Sequence, residues 1–155
     1  MNIFAYQPLL LIESFTALRK WHKRINNQAF DTWAHALNSS EAAHTTSSPN
    51  LPSPHITHIR TMRKHIDAIV RNYPTEFNCM RRCLALKGMI EKRGGACTMH
   101  IGVNMQANAS TSKPATKLAA HAWLSVNGEL INDSTERISE YTEITHSNAL
   151  FKGLF

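Results

Sequence analysis

The apolar residues of this chain change period once. Up to Ile90 they recur at three- and four-residue steps; beyond Gly94-Gly95 they alternate, and Asn127-Gly128 interrupts the alternating part. Steps of three and four put apolar side chains on one helix face, whereas alternation puts them on one face of a strand. An Asn-Gly pair between two such runs is a strong hairpin signal, because both central positions of the tightest turn need positive φ. Helices first and a hairpin-built antiparallel sheet last restrict the chain to an α+β layout. Its 155 residues suit a single domain spanning 1–155.

Residues 1–37 read as helical. Leu9, Ile12, Phe15 and Leu18 recur at three-residue steps, Leu11 and Phe15 at four, and Pro8 suits a first helical turn. A second amphipathic piece over 27–37 puts Phe30, Trp33 and Leu37 on one side. Residues 38–54, rich in Ser, Thr and Pro, read as a polar linker or mobile loop that precedes a helix and core over 55–155. Ile56, Ile59, Met62, Ile66, Ile69 and Val70 resume the helical period, which should stop before Pro74. Asn78 is a good N-cap and sets Cys79 at the first helical position, with Cys83, Leu86 and Ile90 toward the core and Gly94-Gly95 as the stop. Strands are expected over 97–103, 118–126 and 129–132, the first two joined by a polar loop over 104–117. The tail has too little pattern to assign.

Several function classes fall away. No apolar run approaches the roughly 18 residues of a membrane span, and the N-terminus lacks the basic residues and cleavage site of a signal peptide, so the chain reads as cytosolic. Three cysteines suit a reducing compartment better than a disulfide framework. The formal charge of +6 is spread in small knots such as Arg81-Arg82 and Lys92-Arg93, which are usually solvated helix faces. A nucleic-acid-binding module would rest on that charge alone, because no recognition motif accompanies it. Trp21 and Trp33 read as core or interface anchors. There is no Walker loop, GxGxxG, GxSxG or HExxH. Cys97 and His100 lie an odd number of strand residues apart and point oppositely, which argues against a zinc set with Cys79 and Cys83.

What remains is Cys79 with His121 and Asp133. A nucleophilic cysteine must be a thiolate, and a helix N-terminus and a nearby imidazolium both favour one. First-turn amides can also receive an oxyanion. His121, on a strand, suits the base and later the acid, and Asp133 suits the group that orients it. The competing reading of Cys79 is a buried structural thiol; His121 alone suits a structural histidine, and Asp133 alone a strand-end residue. Register adds a condition. With a two-residue turn at Asn127-Gly128 the partner of His121 is Ser134 and Asp133 points to the other face, so a triad predicts a three-residue or bulged loop.

The segment Cys79-Met-Arg-Arg-Cys-Leu-Ala-Leu-Lys resembles the Cys-Leu-x-x-Ser-x-Ala-Leu helix start of the lasso-peptide leader peptidases, the microcin-processing B proteins of the transglutaminase-like cysteine protease superfamily. His100-Ile-Gly-Val and the block from Ala120-His121-Ala-Trp123 through Gly128 to Ile131-Asn132-Asp133 are similar to that family's second motif, including the 12-residue step from His121 to Asp133. The likeness covers roughly residues 76–135. It implies a papain-like, transglutaminase-like core in which N-terminal helices precede a catalytic helix and an antiparallel sheet. It also implies that Cys79 is the nucleophile, His121 the base and Asp133 its orienting group, with Cys83 at the family's small serine position. The implied activity is removal of the leader from a ribosomally made precursor in a bacterial cytoplasm, with no cofactor or metal bound directly. The implied partners are the precursor peptide, a separate small leader-binding protein and an asparagine synthetase-like cyclase, to which any ATP requirement is assigned. Leader recognition by residues 1–75 is the alternative to that separate protein. A catalytically silent scaffold presenting the precursor to the cyclase is the alternative function.

Overall fold

The computed structural model describes residues 7–37, 56–73, 76–107 and 116–144. The expected linker over 38–54, the centre of the loop after the first strand and the tail from 145 lie outside them. Helix α1 covers Pro8–Asn27, α2 Ile56–Asn72 and α3 Cys79–Glu91; two short 3₁₀ turns, Phe30–Thr32 and Ala34–Leu37, follow α1. Strands β1 (Thr98–Ala107), β2 (Thr116–Val126), β3 (Glu129–Leu130) and β4 (Thr142–Glu143) form one antiparallel sheet in the order β3-β2-β1-β4, with a single-turn helix α4 (Thr135–Ile138) before β4. The layout is α+β, helices before sheet, as the change of period requires.

The stripe expected on α1 is the buried one only in part, at Leu18 and, partly buried, Leu11. Leu9 is 81% and Ile12 60% exposed, whereas Leu10, Ser14 and Leu18 are buried, with Leu11, Ala17, Trp21 and Ile25 packed beside them. The apolar pattern misleads because the core face passes through a serine. Ser14 Oγ donates to Leu10 O at 2.8 Å, so a hydroxyl is buried without losing its hydrogen bond. The amphipathic piece expected over 27–37 is two 3₁₀ turns rather than one helix, although Trp33 and Leu37 are buried and Phe30 packs edge-on against Trp33.

Helix α3 is the hub. Met80, Cys83, Leu84, Ala85, Leu86, Met89 and Ile90 are all buried, on every side of the helix. Helices α1 and α2 cover part of it, and the Ala122, Leu124 and Val126 face of β2 covers the rest. Its N-terminus is held in place by the turn before it. Phe77 is buried beside the rings of His22 on α1 and Tyr73, and Arg81 reaches back to Asn26 Oδ1 at 2.7 Å.

The sheet corrects three expectations. The first two strands run to Ala107 and from Thr116, into the stretch read as a polar loop. The third ends at Leu130, two residues early, and β4 comes from the stretch with no readable pattern. The hairpin joining β2 and β3 has a two-residue turn, Asn127 at φ 51° and Gly128 at φ 79°, with Ser125 opposite Leu130 and Val126 opposite Glu129. The three-residue or bulged loop that a triad was expected to need is absent. The face of Asp133 is set further along the chain.

Candidate active site

Cys79 opens α3. Asn78 has extended backbone and its side chain accepts the Arg81 N–H at 3.1 Å, the N-cap arrangement read from the sequence. The Arg82 N–H bonds Asn78 O at 3.1 Å. The first-turn amides that the cap does not use are therefore those of Cys79 and Met80, the latter bonded to the Cys79 sulfur.

His121 lies on β2, opposite Gly102 of β1, and is buried. Its Nε2 is hydrogen-bonded to Asp133 Oδ2, which leaves Nδ1 for the Cys79 sulfur, its other hydrogen-bond partner. Asp133 is held in turn, since its Oδ1 accepts the Ser134 N–H at 2.9 Å and lies 4.0 Å from Arg137 Nε. The three residues expected to act together form one hydrogen-bonded chain.

A bend brings Asp133 to that position. In the register set by the two-residue turn, Leu124 pairs with Ile131, and Ile131 N–H does donate to Leu124 O at 3.0 Å. The reciprocal donor, Leu124 N–H, instead goes to the side chain of Asn132, Oδ1 at 2.7 Å. Ile131 O accepts from Arg63 Nη1 on α2 at 3.3 Å. The ladder ends there, the chain turns through Ile131–Asp133, and Asp133 swings to the face that carries His121.

Electrostatics favour an ion pair. Burial of the Cys79 sulfur opposes ionisation, but hydrogen bonds from His121 and from the Ala122 amide, with the imidazolium charge, outweigh it and hold the thiol below its ordinary value. His121 moves the other way. Its hydrogen bond to Cys79 outweighs burial and, with Asp133, raises the imidazole above its ordinary value. A lowered thiol beside a raised imidazole shifts the pair toward thiolate and imidazolium, the direction that activates a cysteine nucleophile.

Cys83, one turn further along α3, is 0% exposed. Burial, with Cys79 nearby, pushes its thiol far up, so it stays protonated and donates to Ala122 O at 3.2 Å. Of the three cysteines, Cys79 alone is not buried. Among the described residues no group of three or more His, Cys, Asp or Glu is placed to hold a metal ion, and no helix is long and apolar enough to cross a membrane.

Sequence reasoning missed three contributors. Asn132 was read as a strand end and as part of the block shared with the leader peptidases, with no role of its own. Tyr141 lies with its ring centroid 5.1 Å from that of His121, beyond the last assigned strand. Gly102 makes room for it, because a Cβ there would sit 2.8 Å from Tyr141 Cβ and 2.9 Å from the Trp123 ring. A lone glycine inside a strand pattern is the signal that could have found this close approach.

A family model described as the transglutaminase-like superfamily matches residues 24–146, a span that contains Cys79, His121 and Asp133. No curated protein and no solved structure matches the chain.

Proposed function

The chain belongs to the transglutaminase-like superfamily, which includes cysteine peptidases, and from that premise we propose that it is a cysteine peptidase removing the leader from a lasso-peptide precursor. The observation that carries the peptidase reading is the hydrogen-bonded chain from Cys79 through His121 to Asp133 at a capped helix N-terminus. The leader-specific reading rests on the resemblance of the Cys79 and His121–Asp133 blocks to the leader peptidases.

In this mechanism the Cys79 thiolate attacks the scissile carbonyl and the oxygen becomes an oxyanion facing the first-turn amides. Collapse of that intermediate breaks the C–N bond, and the His121 imidazolium gives its proton to the departing amine of the core peptide. Neutral His121 then takes a proton from water as it attacks the thioester, which releases the leader as a carboxylate and restores the thiolate. Asp133 holds the imidazole in the orientation and tautomer that both transfers need. Tyr141, whose ring lies tilted against that of His121, flanks the site. The product is a core peptide with a free amine, the group a macrolactam-forming cyclase needs. Any ATP requirement belongs to that partner, and a separate small protein delivers the leader.

The test is cleavage followed by mass spectrometry, with the precursor peptide and leader-binding protein supplied, for wild type, Cys79→Ala, His121→Ala and Cys83→Ala. Loss of cleavage in the first two variants and retention in the third is the expected result. An intact precursor with wild type, in the presence of partner and cyclase, overturns the peptidase reading in favour of a silent scaffold that presents the precursor.

A further inference from the structure

The bend that carries Asp133 is built by one side chain. Asn132 uses both ends of its carboxamide: Oδ1 accepts the Leu124 N–H at 2.7 Å, and Nδ2 donates to Cys83 Sγ at 3.2 Å. Cys83 is fixed on its far side, where it donates to Ala122 O at 3.2 Å. It can do both because burial keeps it a neutral thiol, a donor through S–H and an acceptor through its lone pairs. The carboxamide thus links α3, which carries the nucleophile, to β2, which carries the base, and to the segment that carries the acid. A continued strand would have given Leu124 N–H to Ile131 O. Here the side chain takes that donor, Arg63 takes the carbonyl, and the next residue turns toward His121.

We propose that Asn132 is a positioning residue for this site: by replacing the ladder bond at Leu124 and anchoring on Cys83, it turns Asp133 onto the face of His121. This rests on the assignment of Cys79 as nucleophile, and it explains how a two-residue hairpin turn coexists with a bond that the hairpin register forbids. The oxygen is the half that the bend requires, and the nitrogen adds the anchor on Cys83. Without Oδ1 the Leu124 amide recaptures Ile131 O and Asp133 falls back to the opposite face. Without Nδ2 the side chain loses the anchor that holds it over the ladder.

The test reads the thiolate and the imidazole directly and needs no precursor. Rates of Cys79 alkylation by iodoacetamide are measured against pH for wild type, Asn132→Ala, Asp133→Ala and the double variant, and the downfield proton on His121 Nε2 is followed by NMR. Asn132→Ala is expected to slow alkylation at neutral pH, to move the thiol midpoint upward and to erase the Nε2 proton signal. The double variant is expected to be no worse than Asp133→Ala, because Asn132 acts through Asp133. An unchanged midpoint, a retained signal, or losses that multiply in the double variant overturns the proposal. Should Asn132→Ala fail to fold, Asn132→Asp decides: it keeps an oxygen for the Leu124 amide and is expected to keep the Nε2 proton signal, and loss of that signal in a folded protein overturns the proposal. A chain that shows this coupling yet cleaves no precursor leaves the positioning role standing and removes only the leader-peptidase reading.

Discussion

At the scale of single residues, the ionisation of Cys79 is the quantity on which the reading turns, and its pH dependence has a definite sign. The thiol is lowered, so thiolate is present below the ordinary thiol range; the imidazole is raised, so imidazolium persists above the ordinary histidine range. Each shift favours the coexistence of thiolate and imidazolium, the thiolate toward lower pH and the imidazolium toward higher pH. Alkylation mapped by mass spectrometry should modify Cys79 before buried Cys83 and Cys97, with a midpoint below that of a free thiol. His121→Ala should move that midpoint up, and a midpoint equal in both proteins would remove the ion pair. Cys79, His121 and Asp133 were legible because each belongs to a chemistry with few residue types and a known capping signal. Asn132 and Tyr141 were not, because their roles come from where a bend and a fourth strand put them. Those placements depend on tertiary hydrogen bonds such as Arg63 to Ile131 O, which no local pattern encodes.

At the scale of elements, the hairpin shows why a correct local reading led to a wrong inference. Asn127-Gly128 marks the turn correctly, and a strict period of two from that turn sends Asp133 to the wrong face. The strand simply stops early, because a side chain outcompetes a backbone carbonyl for one N–H. The α1 stripe was partly wrong for a related reason, since Ser14 satisfies its own hydroxyl and so counts as core. The turn itself offers a clean measurement. Gly128 stands at φ 79°, and a Cβ there would meet nothing within 4 Å, so Gly128→Ala adds left-handed backbone strain with no steric clash. It should lower stability by about 1 kcal/mol, read from urea unfolding as a shift in midpoint at constant slope. Cys79 alkylation should be unchanged, because the bend at Asn132 and not the turn sets Asp133. A loss of Cys79 reactivity in folded Gly128→Ala would place control of the site in the turn.

At the scale of the whole molecule, the candidate site lies where the helical part meets the sheet, and α3 belongs to both. Its N-terminus meets His121 of β2, whereas its C-terminal end is tied to α1. Arg93 grips Glu13 with both guanidinium nitrogens, Nη1 to Oε1 at 3.0 Å and Nη2 to Oε2 at 2.6 Å, while Lys92 approaches at 3.3 Å. These hydrogen bonds, Arg93 first, outweigh burial and hold the Glu13 carboxyl below its ordinary value. A carboxyl lowered by folding adds stability that is present above its unfolded value and is lost as the pH falls through the folded one. Arg93→Met keeps the apolar stem and removes the fork, and it should lower stability near neutral pH by about 1 kcal/mol, the upper range for a partly exposed pair. The gap between wild type and variant should then close on acidification, as Glu13 takes up its proton in both. Urea unfolding of the two proteins at a series of pH values from neutral to acid checks this. A gap that stays constant into acid would mean that Arg93 acts through its bond to Met89 O, or through packing, and not through Glu13. Cys79 alkylation in Arg93→Met should match wild type at neutral pH, because the tether fixes the far end of α3 and leaves the capped end to Asn78, Phe77 and Arg81. Stability would then change without the chemistry, as expected if the helical face of the molecule holds α3 and the sheet face supplies His121 and Asp133.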